Sequence, residues 1–245
     1  MSPAFAIIAG VGPGTGTSVA RRFALSYPVA LLARNPDNYT SLVDEINKSG
    51  GKAIGISTDV SDAGSVKKAV EEAKEKFGDE CAAAVFNASG PFFRKSVLEL
   101  TEREFVGSYE VSCKGAFLFS QQTLPLLLAH SKDSSAKHPG TLIFTGATAS
   151  VKSNALMSSF STGKYAMRAL SQSIAREFAP QGVHVAHAII DGVIDIPRTK
   201  EWLKDMPPEA KIEADAIAEA YWNLHTQSKR AFTNEIDIRP MLEKW

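Results

Sequence analysis

Lys164 stands in the run FSTGK, four residues after Phe160, within the longer stretch SSFSTGKYAMRALSQSIAREFAP. The composition of that stretch predicts a helix over residues 157–179, and residues four apart on a helix share a face. A lysine brings a positive charge and three donors, and its pKa falls where apolar groups surround it. Lys164 is therefore the first candidate for holding a polar ligand or for moving a proton. Phe160 has no proton to give. The hydroxyls near enough in sequence to act are Ser112, Thr148, Ser158 and Ser159. They are weak candidates, because such hydroxyls commonly cap helices or line loops. Tyr165 follows the lysine directly, about 100° further round a helix, and is expected to point elsewhere.

A second group of residues could hold phosphate. GVGPGTG (10–16) follows an apolar run and opens a helical one. Gly10, Gly14 and Gly16 fit the spacing G-x-x-x-G-x-G, with Gly12 and Thr15 inside it. Strict G-x-G-x-x-G fails, since Thr15 takes the third glycine place. Such a turn lets backbone approach a pyrophosphate at the positive end of a helix. A tight turn without a ligand is the competing reading. Further on, Ala33-Arg34 ends a second apolar run with no acid to accept from ribose hydroxyls. Arg34 suits a 2′-phosphate, which favours NADP(H) over NAD(H). A solvated arginine is the alternative there. Asp59-Val60 ends a third run, where Asp59 either reaches an adenine or serves as a turn or capping residue.

The elements that must position these residues alternate in type. Short apolar runs at 4–10, 28–34, 53–60, 81–90, 141–147, 183–190 and 235–240 predict strands. Helical periodicity falls at 15–26, 38–49, after Ser61-Asp62 as far as Gly78, at 102–129, 157–179 and 214–228. This order implies an α/β fold: a doubly wound parallel sheet of about seven strands, with helices on both faces. No linker or repeat divides the chain, so residues 1–245 are expected to form one domain. Residues 130–140 read as a surface loop.

Bulk properties exclude several function classes. Among 245 residues, 27 Lys and Arg balance 27 Asp and Glu. That balance argues against nucleic acid as a partner, which usually needs a basic footprint. No apolar run is long enough for a membrane span, and the first residues do not read as a signal peptide. Cys81 and Cys113 do not make a disulfide framework and are expected to be buried thiols, which suggests a reducing, cytoplasmic setting. His184 and His187, three apart in a strand, should face opposite sides as core or rim residues. No cluster has metal-ligand spacing, and no metal is expected.

Together these residues resemble the short-chain dehydrogenase/reductase family over nearly the whole chain. The turn at 10–16, the pair Asp59-Val60, the stretch Asn87-Ala88-Ser89-Gly90 and Lys164 are similar to its motifs, in the right order. The resemblance implies that Gly10, Gly12, Gly14, Thr15, Gly16, Arg34, Asp59, Val60, Asn87, Ala88, Ser89, Gly90 and Lys164 hold NADP(H). Backbone groups of Gly192, Val193 and Ile194 would meet the nicotinamide amide. The family's chemistry uses a tyrosine acid, an orienting serine and an asparagine around the lysine. Here those places carry Phe160, Ala147 and Ser112. The chain is similar to a subgroup with phenylalanine at the tyrosine place and no glycine-rich tail after the last strand.

Three functions follow from this resemblance. One is an atypical oxidoreductase that reduces an imine or an activated alkene without the acid pair. Another is a cofactor-binding sensor or partner subunit without turnover. The last is an isomerase or cyclase that uses NADP as scaffold. Residues 197–213 would form a lid over a small apolar substrate, with Trp202, Leu203 and Met206 on its inner face. Helices 102–129 and 157–179 would pack against a twin, making a homodimer or homotetramer. Phe117, Phe119, Leu124 and Leu170 belong either to that seam or to the core.

Overall fold

The computed structural model describes residues 4–244. The chain begins β1 (Phe5–Ala9), α1 (Thr15–Ala24), β2 (Val29–Ala33), α2 (Thr40–Lys48), β3 (Ala53–Ser57), α3 (Ala63–Phe77) and β4 (Cys81–Phe86). It continues with α4 (Glu102–Tyr109), α5 (Gly115–Lys132), β5 (Thr141–Thr145), α6 (Ser158–Phe178) and β6 (His184–Ile190). The last elements are β7 (Val193–Asp195), β8 (Lys211–Glu213), α7 (Ala214–His225) and β9 (Glu235–Ile238).

Seven strands form one parallel sheet in the order β3-β2-β1-β4-β5-β6-β9. Side chains alternate across it, as a period of two requires. From β1, Phe5 and Ile7 enter the core that holds Phe86, Phe119 and Phe144. Ala6 and Ile8 enter the opposite core, with Phe23, Leu31 and Tyr221. Both faces are covered, which is why the strands read as unbroken apolar runs. The order reverses between β1 and β4, and ligands of such sheets bind outside the strand ends at that point. The glycine turn follows β1, and Asn87 follows β4 there.

Local signals fix several boundaries. The Asp62 carboxylate caps α3 by accepting from Ser65 N at 2.6 Å, and Gly78 ends it with φ +102°. Thr101 and Glu104 form a reciprocal capping box on α4.

Other boundaries differ from the sequence reading. The helix expected over 102–129 is two helices joined by a π turn at Glu110–Lys114, and it runs on to Lys132. The second helix starts later than expected, because Pro36–Asn38 forms a separate 3-10 turn. The third strand stops at Ser57, where Asp59 and Ser61 form a side-chain turn. Residues 193–213 contain a short parallel ladder of β7 with β8, which no periodicity signalled. Cys81 is buried, but Cys113 is only partly buried, since the π turn brings it near the surface beside Tyr109. Phe119 and Leu124 belong to the core, whereas Phe117 is 46% exposed.

Candidate functional site

The glycine turn is built by close contacts that exclude any side chain. A Cβ on Gly10, which has φ +87°, would stand 2.3 Å from Ala88 N. One on Gly16 would stand 2.6 Å from Gly10 O. Gly14 has φ +116°, and its missing Cβ faces Ile196 Cγ2 at 2.4 Å. Gly12 is different, since a Cβ there meets nothing nearer than 3.8 Å. Asn87 clamps the turn from β4: its Nδ2 donates to Gly10 O at 2.9 Å and its backbone N to Ala9 O at 2.8 Å. Its side-chain amide is thus committed to the turn's shape.

The helix that opens from this turn is uncapped. Among the described residues no side chain caps the N-terminus of α1, and no acid lies in its first turn. Thr15 Oγ1 is buried without a hydrogen-bond partner. An uncapped helix start with an orphan hydroxyl, on a cradle too tight for side chains, fits a pyrophosphate. Arg34 is exposed after β2, and no hydrogen bond or ion pair holds its guanidinium among the described residues. Asp59 accepts from Ser61 N at 2.9 Å and Ser61 Oγ at 2.7 Å. Those bonds hold its carboxyl below the ordinary range. Asp59 therefore has a turn-forming role in the structure, and Val60 packs beneath it against Gly115. Ser89 is exposed; Gly90 donates from its backbone N to Ser112 Oγ at 3.2 Å and lies against Ser108.

Around Lys164 the site is buried, and the ring that shares its helix face is a phenylalanine. Lys164 is 3% exposed, and its Nζ donates to Thr145 O at 2.9 Å. Burial pushes its pKa down to about 8. Phe160 lies one turn earlier on the same helix face, with its ring centroid 5.8 Å from Nζ. It packs edge-on against Phe92 at 5.3 Å. Ala147 offers only a methyl group, and its N–H bonds Ser150 Oγ at 3.1 Å. Tyr165 is 41% exposed, as its angular offset predicted.

Local structure engages two of the four weak hydroxyl candidates, Ser112 and Thr148, while the buried hydroxyls of Ser158 and Ser159 have no partner among the described residues. Ser112 lies in the π turn and accepts from Gly90. Thr148 donates to Asp191 Oδ1 at 2.5 Å. Ser159 is fully buried with no partner. It is one helical turn from Gly163, which rests on Ser108 of α4, so Ser159 shares that packing face rather than the face of Phe160 and Lys164.

The segment after β6 packs back against Pro240 and the glycine turn. A Cβ on Gly192 would stand 2.6 Å from Pro240 Cδ. Val193 and Ile194 are part of β7, and Ile194 O accepts from Thr199 Oγ1. The β7–β8 ladder and Thr199 therefore engage part of the backbone that the sequence reading left to a nicotinamide amide. Ile196 leans over Gly14 and supplies no hydroxyl. Trp202, Leu203 and Met206 are 52%, 44% and 48% exposed, so the expected inner face is not packed down on the sheet. Two features escaped sequence reasoning. Phe92 as the ring against Phe160 had no signal. The tie from Thr148 through Asp191 to Arg239 joins residues remote in sequence.

Known proteins agree with this architecture. Residues 4–207 match the short chain dehydrogenase family. An uncharacterized oxidoreductase of Staphylococcus epidermidis is 27% identical over 237 residues, 96% of each chain. A crystal structure of a short-chain dehydrogenase from Rhodopseudomonas palustris is 31% identical, covers 98% of this chain and 100% of its own, and superposes with a TM-score of 0.82. An alcohol dehydrogenase from Thermococcus sibiricus, solved with 5-hydroxy-NADP, is 26% identical, with 98% of each chain covered and a TM-score of 0.84. On the sheet order, the glycine turn and these likenesses, the chain belongs to the short-chain dehydrogenase family.

Proposed function

We propose that this chain is an NADP(H)-dependent oxidoreductase that works without a side-chain acid pair and reduces an imine or an activated alkene. The observation that carries this reading is Lys164, buried beside Phe160 and bonded to a backbone carbonyl, with Ala147 at the neighbouring orienting place. A bound nicotinamide supplies hydride equivalents. The chain's own residues hold and shield. Gly10, Gly14, Gly16 and the start of α1 cradle the pyrophosphate, and Asn87 keeps that cradle in shape. Arg34 is the counter-charge for a 2′-phosphate, a role supported by its unpaired guanidinium and by the absence of an acid after β2. Lys164 orients ribose hydroxyls by donation. Phe160 and Phe92 keep water from the reacting face.

A positioned acid commonly contributes about 10²–10⁴-fold in rate. A ketone needs that proton on its oxygen, whereas an iminium nitrogen becomes a neutral amine without one. The substrate is small with an apolar body, and residues 197–213 close over it, bringing Trp202, Leu203 and Met206 inward. A second copy covers the exposed stripe of Phe105, Tyr109, Phe117 and Tyr165.

The test is NADPH binding followed by oxidation over matched ketones, imines and enones. NADPH should bind more tightly than NADH, and Arg34→Ala should abolish that preference. Imines or enones should be reduced and ketones left alone. The double variant Phe160→Tyr, Ala147→Ser should gain ketone reduction. Failure to bind either dinucleotide would overturn the reading. The sensor reading rests on the same packing of Phe160 on Phe92, which puts a ring without a proton at the usual donor's place. It is favoured by tight NADPH binding with no oxidation by any member of the panel.

A further inference from the structure

The geometry points to Thr148 and Asp191 as the pair that sets what a substrate must present: a positively charged N–H donor, as in a protonated cyclic imine. This inference rests on the reductase reading and names its substrate class. Thr148 follows Ala147 just beyond β5, and Asp191 follows β6. The two strands are neighbours, so the pair bridges their ends beside Thr145, whose carbonyl holds Lys164.

A threonine hydroxyl has one hydrogen. Here it is committed to Asp191 Oδ1 at 2.5 Å, a short, charge-assisted bond. Asp191 is 5% exposed and cannot swing away to water. Its Oδ2 is fixed by Arg239 at 2.7 Å. Thr148, only half-buried, therefore offers nothing but lone pairs to an incoming group. A ketone oxygen also offers only lone pairs, so the two repel. An iminium N–H donates to that oxygen and makes the bond the ketone cannot. Sites built on a committed polar group discriminate strongly against the partner that leaves it unmatched.

Charge points the same way. Arg239 is shared between Asp191 and Asp237, which it grips through two bonds of 2.9 Å. Two carboxylates against one guanidinium leave the cluster negative, and the Glu243 charge acts on it too. The Lys164 charge nearby is engaged by the Thr145 carbonyl.

Three probes separate the terms: 1-pyrroline in its protonated form, the N-methyl-pyrrolinium cation and cyclopentanone. The N-methyl cation keeps the charge and loses the N–H. With NADPH, kcat/KM should fall about tenfold from the protonated imine to the N-methyl cation. It should fall further to the ketone. Thr148→Val should erase the step between the two cations, and Thr148→Ser should keep it. Binding gives a second readout on the NADP-loaded protein, with pyrrolidinium compared against N-methylpyrrolidinium. A chain that turns over no probe but still binds pyrrolidinium better, in a Thr148-dependent way, sinks the reductase reading and upholds this inference. A step of unchanged size in a folded Thr148→Val protein, by turnover or by binding, overturns it.

Discussion

Replacing Lys164 with methionine separates stability from function at a single residue. The lysine is buried, its one bond among the described residues is to the Thr145 carbonyl, and its pKa is lowered to about 8 from 10.5. A lowered lysine pKa means that the folded chain holds this proton less tightly than the unfolded one. Below about pH 8 the buried charge therefore opposes folding. That penalty lifts as pH rises from 8 towards 10.5, and amounts to roughly 3 kcal/mol over the window. Lys164→Met removes the charge and leaves the Thr145 carbonyl without a donor, a loss of about 1–2 kcal/mol. The variant should be modestly more stable than the parent at pH 7 and lose that advantage by pH 10, as urea titrations at both pH values would show. NADPH affinity should fall in the same protein. Equal differences at the two pH values would mean that the lysine is not desolvated. A group retained at such expense is what a ligand-holding role predicts.

At the level of elements, capping chemistry was the most legible signal, and it can be measured. A helix start was readable at Ser61 or Asp62, because two capping residue types stood just before a helical pattern that ends at Gly78. The structure gives Asp62 a 2.6 Å bond to Ser65 N. Asp62→Ala should destabilise the fold by about 1 kcal/mol, while Asp62→Asn should cost less, both read from denaturant midpoints. Strands were legible for a related reason: a parallel sheet covered on both faces needs unbroken apolar runs, and β1, β2 and β4 are fully buried along their lengths. The π turn at Glu110–Lys114 was not legible, because an extra residue per turn leaves helical composition unchanged. The β7–β8 ladder was hidden because three-residue strands are too short for a period to show. The candidate site divides likewise. Gly10 and Gly16 announce themselves by type, since only glycine fits where backbone atoms lie 2.3 to 2.6 Å from a would-be Cβ. The tie from Thr148 to Asp191 spans 43 residues, and no local pattern points across that distance.

For the molecule as a whole, buried histidines couple stability to pH. His225 joins α1's exit to the sheet and α7. Its Nε2 lies 2.8 Å from Tyr27 OH and its Nδ1 3.0 Å from Thr141 Oγ1. Thr141 Oγ1 spends its hydrogen on Pro139 O, so Nδ1 must donate to it and Nε2 must accept from Tyr27. Protonating Nε2 would break the Tyr27 bond. Burial accordingly lowers His225 to about 3, and it lowers His187, beside Glu235, to about 4. Both fall from 6.5, so the folded chain binds these protons less tightly than the unfolded one. Their contribution is complete above about pH 6.5 and is lost as pH falls towards 4 and 3. With both groups neutral in the fold and charged when unfolded, stability should drop by roughly 2–3 kcal/mol per pH unit between about pH 6 and 4.5. Urea unfolding at half-unit steps would give that slope. His225→Phe should be less stable at pH 7, having lost two buried bonds, yet its slope should be shallower than the parent's. A slope unchanged by that substitution would show that His225 already carries its proton in the folded chain, and the tautomer assigned from Thr141 and Pro139 would be wrong.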